Sequence, residues 1–152
     1  MRNVEVERAI KAPLSSVWAV LADYPNIVDW NDGVANSYAI GDATEGVGAQ
    51  RQVELGSKGS IKNRETVTEW VPEQIMVVAI DKIEKQPIKQ ATMTFTLSDG
   101  GETTPFTMSY DYEPKGGPLA YIYGPILDRL LNKGFNGFID SLEPAAQDRA
   151  VT

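Results

Sequence analysis

The chain contains no cysteine and no histidine among its 152 residues. Without cysteine there is no disulfide, no thiolate nucleophile and no thiolate metal site. Without histidine, Ser-His-Asp and Cys-His machinery is excluded, and so is the commonest metal ligand. Positive charge is also scarce: 14 Lys and Arg stand against 21 Asp and Glu, a formal charge of −7. That balance argues against nucleic acid or an anionic membrane as a partner, since both need clustered cations. No apolar run approaches the roughly 20 residues that span a bilayer, so stable membrane insertion is not expected. The opening MRNVEVERAIKAP alternates charge with valine and isoleucine, unlike a signal peptide. The expected compartment is the cytoplasm. Acidic residues offer no metal site: Asp29 and Asp32 in DWND, and Asp99 and Glu102 in DGGE, read as turns and caps. Nothing calls for a cofactor.

What is present is an ordinary apolar fraction, 42%, in a chain long enough for one domain with a full core. Residues 3 to 11 alternate like a strand. APLSSVWAVLADY changes to helical period, with Pro13 suited to the first turn, and PNIVDW makes a second short helix ending near Trp30. From about Val34 strands and turns succeed one another: VANSYAIG, AQRQVELG, IKNRETVTEWV, IMVVAIDKI, ATMTFTLS and TPFTMSYDYE. Alternation is clearest in the last two, where Met93, Phe95, Met108, Tyr110 and Tyr112 fall on the apolar face. A long helix is expected from about Pro118 to Leu142, kinked near Gly124-Pro125, with a stripe that includes Ile122, Ile126, Leu130, Leu131, Phe135 and Phe138 facing the sheet. The expected domain is 1–143, followed by a frayed tail, 144–152. Seven antiparallel strands and one long amphipathic helix make an α+β fold, a curved sheet wrapped on the helix, with a cavity between the two.

EGVGAQR, residues 45 to 51, superficially suggests a phosphate loop. Arg51 stands where the third glycine of a dinucleotide fingerprint belongs, however, and strand follows instead of helix. The stretch therefore reads as a bend. Arg51 shares parity with Val53 and Leu55, and Glu65 with Ile61 and Val67. If the GSKGS turn is centred on Lys58, Arg51 falls opposite Glu65 and the two form a cross-strand ion pair on the cavity face. Such a pair is either a bridge within the sheet or a polar anchor for a ligand carbonyl or carboxylate. Gly134 and Gly137 either open space for ligand or allow close packing.

IKAPLSSVWAVLADYPNIVDWNDGV, EGVGAQR and ETVTEWVPEQIM together resemble the START-like, helix-grip (SRPBCC) superfamily, in its bacterial polyketide cyclase/dehydrase-type branch. The resemblance covers nearly the whole chain. It implies a helix-grip fold with two short helices after strand 1, a glycine loop at the cavity's rim, and an apolar ligand between sheet and helix. The implied partner is a small hydrophobic or amphipathic molecule (a lipid, isoprenoid or polyketide-like compound), bound by a monomer or homodimer. Expected ligand contacts are Trp30, Arg51, Glu65, Met93, Phe95, Met108, Tyr110, Ile122, Ile126, Leu131 and Phe135. Trp30 would close one end of the cavity; Trp18 and Trp70 would pack. A carrier leads. A polyketide cyclase or aromatase comes second, with Arg51 polarising a carbonyl and Tyr110 or Tyr112 moving protons. An interaction domain of Hsp90-activator type comes third, to be recognised by an exposed apolar patch and a filled cavity.

Overall fold

The computed structural model describes residues 1–150. Its seven strands are β1 (Arg2–Ile10), β2 (Val34–Ile40), β3 (Gln50–Leu55), β4 (Ile61–Val71), β5 (Ile75–Glu84), β6 (Ile88–Leu97) and β7 (Thr104–Pro114). They form one antiparallel sheet in the order β1-β7-β6-β5-β4-β3-β2. Helix α1 (Leu14–Ala22) follows β1, then a 3-10 turn, Tyr24–Asp29, which is the second short helix of the sequence pattern. Six consecutive strands form a meander, each pairing with the next because the connections are short. The crossing from β1 to β2 through α1 leaves β1 to pair with β7 instead.

One face of the sheet is apolar, as the two-residue period requires. Met93, Phe95 and Leu97 of β6 lie against Tyr110, Met108 and Phe106 of β7, and all six are buried. Helix α2 (Ala120–Ala150) covers this face. Its contact line is Leu127, Leu131, Phe135, Phe138, Leu142 and Ala146, spaced by three or four residues. Polar contacts along β1 fix its position. Arg8 reaches Asp140 and Asn136, and the Lys11 N–H donates to Glu143.

The helix differs from expectation in two places. It continues through 144–150, where fraying was expected, although Pro144 cannot donate a helical hydrogen bond. Ala146 is fully buried, and Gln147 Nε2 donates to the Lys11 carbonyl at 3.0 Å, so tertiary contact holds the last turns. Residues 151 and 152 of the expected tail lie outside the described residues. The second difference is which side of the helix faces the sheet. Ile122 and Ile126 are 74% and 59% exposed. With Leu119 they form a second apolar patch, turned outward and away from the Leu127–Leu131–Phe135 line.

Candidate functional site: a cavity between sheet and helix

Between the sheet's apolar face and α2 lies a cavity of about 430 Å³. Of the residues expected to contact a ligand, Arg51, Glu65, Met93, Phe95, Met108, Tyr110, Leu131 and Phe135 line it. The methionines and phenylalanines that would have filled a solid core leave this space open. The sequence pattern did not single out Asn63, Val78, Ile80, Gln86 or Pro87, which also line it. Val78 and Ile80 carried a signal, since they pair with Val67 and Glu65 in register and so had to share their face.

The remaining expected contacts are not at this wall. Ile122 and Ile126 point outward, as described above. Trp30 sits behind the wall, packed edge-on against Phe138 at 5.1 Å, beside a void of about 10 Å³. Tyr112, a candidate proton donor, is fully buried beyond the cavity, and its hydroxyl donates to Asp128 Oδ1 at 2.6 Å. Gly46 and Gly48 are not part of the lining. Both adopt left-handed backbone (φ 79° and 93°), and the Gly48 N–H donates to the Val67 carbonyl, so the loop turns the chain into β3. Gly134 lines the cavity and a Cβ there would meet nothing within 4 Å; Gly137 is equally uncrowded, so neither serves close packing.

The pairing of Arg51 with Glu65 follows from the hairpin. Leu55 pairs with Ile61, which centres the turn on Lys58 and places Arg51 directly opposite Glu65. Arg51 Nε and Nη2 donate to Glu65 Oε1 at 2.9 and 2.6 Å. A third donor, Nη1, reaches the Tyr24 carbonyl at 2.7 Å, and the guanidinium lies 4.0 Å from the centre of the Tyr24 ring. Tyr24 in turn donates its hydroxyl to the Glu65 carbonyl. Burial pushes the Tyr24 phenol well above the usual tyrosine value despite the neighbouring guanidinium. The 3-10 turn thus closes over one side of the charge pair. Its two side chains are only 7% and 12% exposed, a depth at which both charges survive through mutual contact and hydrogen bonding.

Tyr110 is the other polar group on the wall. Its ring packs against Phe135 and Tyr112, and among the described residues its hydroxyl has no hydrogen-bond partner. Burial first, and then the Glu65 charge, raise its ionisation well above the ordinary value. It stays a neutral phenol, able to donate or accept. Among the described residues no group of three or more acidic side chains gathers as a metal site, and no helix is long and apolar enough to cross a membrane.

Comparison with known proteins gives the same frame. Residues 1–147 match the family described as polyketide cyclase/dehydrase and lipid transport. Among solved structures, an aromatase/cyclase, Zhui, from Streptomyces sp. R1128 superposes with a TM-score of 0.80 at 14% identity, covering 97% of this chain and 94% of its own. A START superfamily protein from Mycobacterium smegmatis gives 0.79 at 14% identity, over 96% and 97% of the two chains. A protein from Thermus thermophilus gives 0.79 at 17% identity, over 97% and 98%. At these identities the likeness is one of fold. No curated protein matches the chain.

Proposed function

The chain belongs to the polyketide cyclase/dehydrase and lipid transport family, and from that premise we propose that it binds a hydrophobic or amphipathic small molecule between sheet and α2. The observation that carries this reading is the apolar cavity of about 430 Å³ with a single ion pair, Arg51–Glu65, in its wall. Ligand sites commonly have that composition, mostly apolar lining with a few fixed polar groups, and a volume in this range. A lipid, isoprenoid or polyketide-like chain fits the lining. With no membrane-crossing helix among the described residues, we read it as a cytoplasmic carrier or binding module, monomeric or homodimeric.

A polyketide cyclase or aromatase is the second reading, favoured by the unpartnered Tyr110 hydroxyl on the same cavity wall as Glu65. It loses Tyr112 as proton donor, and Arg51 already commits three donors to Glu65 and Tyr24. The third reading, an interaction module, has the exposed Leu119, Ile122 and Ile126 in its favour. The open cavity speaks against it.

Native mass spectrometry of the protein purified from bacteria, together with Nile red titration, tests the binding reading. Leu131→Trp fills the cavity from the helix side. A dye that binds wild type and fails to bind a folded Leu131→Trp protein is the expected result. Equal binding to both places the dye elsewhere and removes the reading.

A further inference from the structure

The way Arg51 and Glu65 are tied leaves their hydrogen-bonding capacity unevenly used. Both contacts from Arg51 fall on the same oxygen, Oε1. Among the described residues Glu65 Oε2 accepts no hydrogen bond, and the Tyr110 hydroxyl likewise has no partner. Among the described residues, the side-chain polar atoms sealed inside the protein without a partner are Trp30 Nε1 and Asn63 Oδ1. Glu65 Oε2 and the Tyr110 hydroxyl are not among these, so both keep some exposure, and the cavity is the space that their residues line.

A carboxylate oxygen that faces an apolar space with one lone-pair side unused readily accepts an N–H or O–H brought within reach, and hydrogen bonds to a charged acceptor are among the stronger ones. The Arg51 guanidinium does not offer the opposite service. Its charge is balanced by Glu65 and its ring-side face lies on Tyr24. A ligand carboxylate entering here would meet an already neutralised arginine and the spare oxygen of an anion. Its own desolvation would go uncompensated.

We infer that the cavity selects a neutral ligand carrying a hydroxyl, which donates to Glu65 Oε2 and exchanges a hydrogen bond with Tyr110, and that it discriminates against a carboxylate. This rests on the cavity being a ligand site, and it replaces the expectation that Arg51 anchors a carbonyl or carboxylate. The buried Tyr110 phenol, held neutral by burial and by the Glu65 charge, suits a neutral hydroxyl partner.

Three probes share one chain and differ only in the head group: decan-1-ol, its methyl ether and decanoate. Each is titrated against Nile red bound to the full-length protein at pH 7.5, where decanoate is ionised. The alcohol should displace the dye roughly five- to tenfold more tightly than the ether, the factor one hydrogen bond supplies, and decanoate should bind weakest. Tyr110→Phe should erase most of the alcohol's advantage over the ether, with both affinities taken relative to Nile red titrated on the same variant. Glu65→Gln keeps an acceptor and removes the charge, so it should narrow the gap between alcohol and decanoate. Equal binding of alcohol and ether overturns the inference, as does decanoate binding as tightly as the alcohol, or Tyr110→Phe leaving the alcohol's advantage intact. If Nile red binds and none of the three displaces it, the hydroxyl preference is likewise refuted. If the dye itself fails to bind wild type, the cavity reading falls and this inference with it.

Discussion

Two clusters in this protein are built from the same three side chains: an arginine, a carboxylate and a tyrosine. Arg51, Glu65 and Tyr24 form one; Arg2, Asp128 and Tyr112 form the other. They lie toward opposite ends of one cross-strand row, in which Arg51 pairs with Glu65, Glu65 with Ile80, Ile80 with Ala91, Ala91 with Tyr112, and Tyr112 with Arg2. In the second cluster every group is engaged. Arg2 Nε and Nη2 take one Asp128 oxygen each, and Tyr112 adds a hydrogen bond to Oδ1. That cluster ties β1 and β7 to α2, with both charges part-exposed. In the first cluster the arginine crowds one oxygen and leaves the other facing a cavity. Chemistry alone therefore does not distinguish a clasp from a site. The difference lies in which lone pairs the fold leaves open and what they face.

Breaking the first cluster should have the largest effect. Glu65→Ala leaves a buried guanidinium without its counter-ion, and about 3–5 kcal/mol of stability should be lost in urea unfolding. Arg51→Met combined with Glu65→Leu should recover most of that loss while abolishing hydroxyl preference. If Glu65→Ala costs no more than a surface substitution, the pair is not held as described.

The second cluster should respond less, and through pH. Tyr112→Phe removes a hydrogen bond to a carboxylate and should cost about 1–2 kcal/mol. Desolvation, and then the hydrogen bond and charge of Asp128, push the Tyr112 phenol up to about 12. A proton held more tightly in the folded state stabilises fully below the ordinary tyrosine value of about 10 and is lost as pH rises from there to about 12. The alkaline limb of wild-type stability should accordingly be steeper than that of Tyr112→Phe. Asp128 behaves in the opposite sense. Chiefly through its hydrogen bond to Arg2, its carboxyl is held below the usual carboxylate value. Its contribution is present above the ordinary carboxylate range and is lost as pH falls through the lowered folded value. Asp128→Asn should flatten the acid limb of a thermal-melt series, and an unchanged limb would show that the clasp carries no acid sensitivity.

The smallest effect tests how the clasp is accommodated. A Cβ on Gly124 would lie 2.7 Å from the Arg2 guanidinium, so the glycine makes room for that side chain. Gly124→Ala gains helix propensity of up to about 1 kcal/mol and displaces Arg2, for a near-zero net change. With Arg2→Ala already in place the same substitution should stabilise. Additive effects would separate Gly124 from the clasp.

The two clusters were unequally legible. Arg51 and Glu65 could be paired because one short hairpin fixes their register, and a period of two allows no intermediate answer. Tyr112 was placed on the correct sheet face, but its partner comes from α2, and no local rule aligns a helix turn with a strand residue. A signal was available: Asp128 follows Gly124 by one turn, beside Leu127 and Leu131, a charged residue on the core-facing side. Ile122 and Ile126 read as core-facing in the sequence because the helix has two apolar stripes at the same spacing. Periodicity identifies each stripe, but only packing decides which one the sheet covers.

The central claim is that ligand enters the space between the sheet and α2. The chain's four methionines, Met1, Met76, Met93 and Met108, report on this directly, because Met93 and Met108 line the cavity and the other two do not. In a titration of methyl-labelled protein with decan-1-ol followed by NMR, the Met93 and Met108 methyl resonances should move together and saturate, with Met1 unmoved and Met76 changed less. Saturation with no movement of Met93 and Met108, or movement confined to Met1, would contradict the account.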